Sequence, residues 1–195
     1  MTKRSHHRPS PQGGEFFDAL IGAQDPALVA EAADRAATLL VRGASSSDDA
    51  RVAERLLTLA DDEGLETLAE LWSGASPDSL AGCLWRLYVL RSWVYADPEL
   101  AARQFEAGRG NAEVARVVAG VADPPGPDQV RAMIDAVLRG VADGDFADVV
   151  LRAAAFSRVV AVGRAHLGAT DAKAMLVLSE QFEVAAHLEL DHALA

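Results

Sequence analysis

Apolar residues recurring with a 3.6-residue period, bounded by helix-starting and helix-stopping residues, constrain this chain more than any other feature. Val130, Met133, Ile134, Val137, Leu138 and Val141 fall at i, i+3, i+4, i+7, i+8 and i+11, which draws one apolar stripe along a helix. Val52, Leu56, Leu59 and Ala60 repeat the spacing. The starts share one chemistry. Asp25-Pro26, Ser76-Pro77 and Asp97-Pro98 each offer a side-chain acceptor at the N-cap and a proline at the first helical position, where its missing N–H costs nothing. Ser47 before Asp48 and Asp49, and Thr170 before Asp171, add acids that suit the positive end of a helix dipole. Gly43, Gly64, Gly74, Gly108, Gly144 and Gly168 are read as stops, and Pro124, Pro125 and Pro127 as a hard break.

Strand signals are poor, since the chain has two Ile and no period-two run between hairpin turns. The expected fold is all-α, with about nine helices. Residues 80–95 and 146–166 are apolar nearly all round, the mark of a helix surrounded by others. They are expected to be the two buried central helices of an orthogonal multi-helix bundle. Gly163 in the second allows close approach of another backbone, and Arg158 needs an acidic partner if buried.

Residues 1–14, MTKRSHHRPSPQGG, combine charge, prolines and a Gly pair without apolar periodicity, and are expected to form a disordered basic tail. Residues 15–195 are then a single helical domain, a length that suits one core. Net charge is −11, and with Lys3, Arg4 and Arg8 gathered in the tail the rest is more acidic still. Such a surface repels nucleic-acid phosphate. Cys83 is the only cysteine and sits in an apolar run, so no intramolecular disulfide forms. No stretch of about 18 uncharged apolar residues is present to span a bilayer. The expected location is the cytoplasm, without membrane association.

Phosphate-binding GxxxxGK[ST], the GxSxG elbow, HExxH and paired CxxC are all missing, which leans against an enzyme. Two groups could nonetheless bind something. Trp85, Arg86, Tyr88 and Arg91 cluster with Trp72, Trp93 and Tyr95, and could form a ligand pocket in which rings give contact area and Arg grips an anion. The same residues also suit a core helix whose polar atoms bond to neighbouring carboxylates. Asp143, Asp145 and Asp148 could hold a divalent cation, although Asp145 and Asp148 also fit the first turn of a helix. Glu183, His187 and Asp191, at i, i+4 and i+8, make a third candidate face that suits solvent equally well. No particular cofactor is indicated.

The segments LWRLYVLRSWVYADPELAARQFEAG and VAGVADPPGPDQVRAMIDAVLRGVADGDFADVVLRAAAFSRVV resemble a group of all-helical proteins of high-GC actinobacteria whose function is unknown. The resemblance implies a helical fold and no site residue. The expected function is a non-enzymatic interaction or regulatory module that binds a partner protein or pairs as a homodimer. The alternative is a small-molecule or metal-binding helical protein with an aromatic and Arg pocket.

Overall fold

The computed structural model describes residues 26–43, 65–110, 126–143, 146–192 and 194. The tail at 1–14, the start at Ser47 and the stops at Gly64 and Gly144 lie outside them. Seven helices account for most of the described chain: α1 (Pro26–Arg42), α2 (Leu65–Trp72), α3 (Leu80–Ala96), α4 (Pro98–Arg109), α5 (Pro127–Asp143), α6 (Phe146–His166) and α7 (Ala172–Leu190). No strand occurs among the described residues, and none of the described helices is long and apolar enough to cross a membrane.

Helix ends follow local chemistry. Asp97 caps α4 by accepting from the Leu100 N–H at 2.9 Å, with Pro98 next to it. Gly43 and Gly168 close α1 and α6 with φ of 77° and 72°, the left-handed region that glycine enters without strain. Two expected boundaries move. Ser76 does not cap α3; Ser79 does, accepting from the Gly82 N–H at 3.1 Å, while Ser76 accepts the Ser79 N–H in a preceding turn. Both serines carry the required acceptor, and the turn at 76–79 decides between them.

Gly108 does not stop a helix either. It is buried inside α4 against α6, where a Cβ would lie 1.8 Å from the Val159 carbonyl oxygen and 2.9 Å from the Gly163 nitrogen. A Cβ on Gly163 would lie 1.7 Å from the Gln104 carbonyl oxygen and 2.9 Å from the Gly108 nitrogen. The two backbones therefore touch with no side chain between them. Phe105 and Phe156 stack beside the crossing, ring centroids 5.3 Å apart.

Fourteen of the 21 residues of α6 are buried, and it packs against α4, α5 and α7. Helix α3 packs against α1, α2 and α5, with Leu80, Cys83, Leu87, Leu90 and Val94 buried and Val89 and Tyr95 exposed. Buried side chains of all seven helices join in one cluster, and Trp72 secures α2 to α1 by donating its indole N–H to the Ala33 carbonyl at 3.1 Å.

Gly108→Ala and Gly163→Ala are each expected to destabilise the fold by about 3 kcal/mol or more, because backbone rather than a flexible side chain must yield. Gly110→Ala, with nothing within 4 Å of the added carbon, is expected to change stability by less than about 1 kcal/mol. Chemical denaturation of the three variants checks this.

Candidate functional site

Helix α3 presents its half-buried side chains to two different neighbours. Arg86 donates from Nε to Gln181 of α7 at 2.9 Å and from Nη1 to the Gly82 carbonyl at 2.8 Å. Burial lowers its pKa below the ordinary arginine value. Arg91 instead reaches α5, donating from Nε to Asp135 at 3.0 Å while its guanidinium lies 4.0 Å from the centre of the Tyr95 ring. The Tyr95 hydroxyl donates to the other Asp135 oxygen at 2.5 Å, a bond that holds its proton and raises its pKa. Trp85 and Tyr88 stack on each other with ring centroids 5.8 Å apart. Arg86 and Arg91 thus divide between the α7 and α5 sides.

The acidic candidates are only partly described. Asp148 is exposed and pairs with Arg152 one turn on at 2.8 Å. Asp145 and the side chain of Asp143 lie outside the described residues. Glu183 is taken up by Arg158, whose Nη2 donates to it at 2.7 Å, so Arg158 has its acid and the α7 face has one carboxylate fewer to offer. Among the described residues no three His, Cys, Asp or Glu side chains gather as a metal site.

The most buried cation among the described residues is one that sequence reasoning passed over. Arg164, 5% exposed, donates from Nε to Gln104 at 2.8 Å and from Nη1 to Asp171 at 2.8 Å, and its guanidinium lies 4.6 Å from the centre of the Trp93 ring. Burial lowers its pKa and Asp171 opposes the shift. Asp171, expected after a start at Thr170 as the acid that suits the helix dipole, itself stands at the N-cap of α7, makes no side-chain cap bond and serves this pair. A sequence signal was available: Arg164 lies across the Gly168 turn from Asp171, at the end of the apolar run Val159–Gly163.

Described residues line two hollows on the surface. One, about 270 Å³, lies between the 76–79 turn and α7 and is lined by Pro77, Asp78, Val177, Glu180, Gln181 and Val184. The other, about 620 Å³, is lined by Glu99, Ala102, Arg103, Glu106, Ala107, Gly126, Pro127 and Leu167. Neither is lined by Trp85, Arg86, Tyr88 or Arg91. Cys83 is 1% exposed, and burial pushes its thiol from 9.0 up to about 12, so at neutral pH it is neither nucleophile nor thiolate ligand.

No protein-family model, curated protein or solved structure matches the chain.

Arg164→Met is expected to cost about 1–3 kcal/mol in urea unfolding, because the Gln104 oxygen stays buried without its donor. Asp171→Asn should cost under about 1 kcal/mol, since that carboxylate is 59% exposed and screened. The raised Cys83 pKa has a pH consequence of definite sign. Its contribution to stability is complete below pH 9.0 and is lost as pH climbs towards about 12, because only the unfolded thiol ionises in between. Alkylation by iodoacetamide at mildly alkaline pH is therefore expected to be slow on the native protein and fast in denaturant.

Proposed function

We propose that this protein works by binding rather than catalysis, as a helical interaction or regulatory module for a partner protein or a second copy of itself. One observation carries the reading. The polar groups best suited to chemistry are engaged within the chain: Arg86 with Gln181, Arg91 and Tyr95 with Asp135, Arg158 with Glu183, and Arg164 with Gln104 and Asp171. The outer face of α7 leaves three large apolar side chains to solvent, Val177, Val184 and Leu190 at 40%, 56% and 53%, among exposed Lys173, Glu180 and His187. The architecture that goes with it is a single-domain orthogonal bundle of about nine helices around residues 80–95 and 146–166, in a cytoplasmic setting. The acidic net charge disfavours nucleic acid as the partner.

A second reading keeps a small-molecule site at Trp85, Arg86, Tyr88 and Arg91, supported by the stacked Trp85–Tyr88 pair. A thermal-shift screen against divalent metals, nucleotides and common metabolites separates the two. A saturating specific ligand raises Tm by roughly 5–10 °C in a chain of this size, whereas the binding-module reading expects shifts below about 1 °C throughout. A saturable rise with any of these compounds overturns it.

A further inference from the structure

We draw no further inference here: the strongest candidate, the groove between the 76–79 turn and α7 that Val177 and Val184 line, has Lys173 and Arg86 near its Asp78 and Glu180, so its charge selects no occupant, and nothing in the structure shows what covers it.

Discussion

Backbone contact between α4 and α6 at Gly108 and Gly163 is the constraint on which the rest of the described structure depends. A pair of helices normally keeps 8–10 Å between axes because side chains interpose. Where both residues at a crossing lack a Cβ, main chains meet directly, and neighbouring side chains are placed within narrow limits. One turn before Gly108, Gln104 comes to face Arg164, which follows Gly163. Phe105 meets Phe156 on the flank of the same crossing. Beside the glycine pair the Gln104 amide and the Arg164 guanidinium meet at 2.8 Å between the two helices.

Charge is handled the same way elsewhere in the chain. Glu189 is 7% exposed and receives both ends of the Arg42 guanidinium, with Nη2 to Oε2 at 2.7 Å, and Arg42 Nη2 also lies 3.4 Å from the Leu194 carbonyl. A fork-shaped cation facing a carboxylate compensates desolvation that a single contact would leave uncovered. Such pairing limits where the chain can offer a polar group to anything outside it, and moves attention from guanidinium clusters to the exposed valines of α7.

Much of the helical fold was legible in the sequence, because the apolar stripe of residues 130–141 and the Asp97-Pro98 start are local signals and local chemistry realises them. Signals that need the third dimension were misread. A glycine at the end of an apolar run looks the same whether it turns the chain, as Gly43 and Gly168 do, or admits another backbone, as Gly108 does. Arg86 and Arg91 stand close in sequence, yet five helical steps separate them by about 140° around the axis, and they reach different helices. Arg158 looked like the stranded cation because of its apolar surroundings, but its side chain is 30% exposed, and among the described residues the buried one is Arg164. The valine pair on α7 carried no chemical motif at all, and its exposure is a tertiary fact.

The Arg42–Glu189 clasp joins residues 147 positions apart, across almost the entire described chain. Contacts of such separation close a long loop, whose entropy the packing of the helices between them has to offset. The clasp therefore ties the first described helix to the last, so that neither can leave the bundle without uncovering a buried carboxylate.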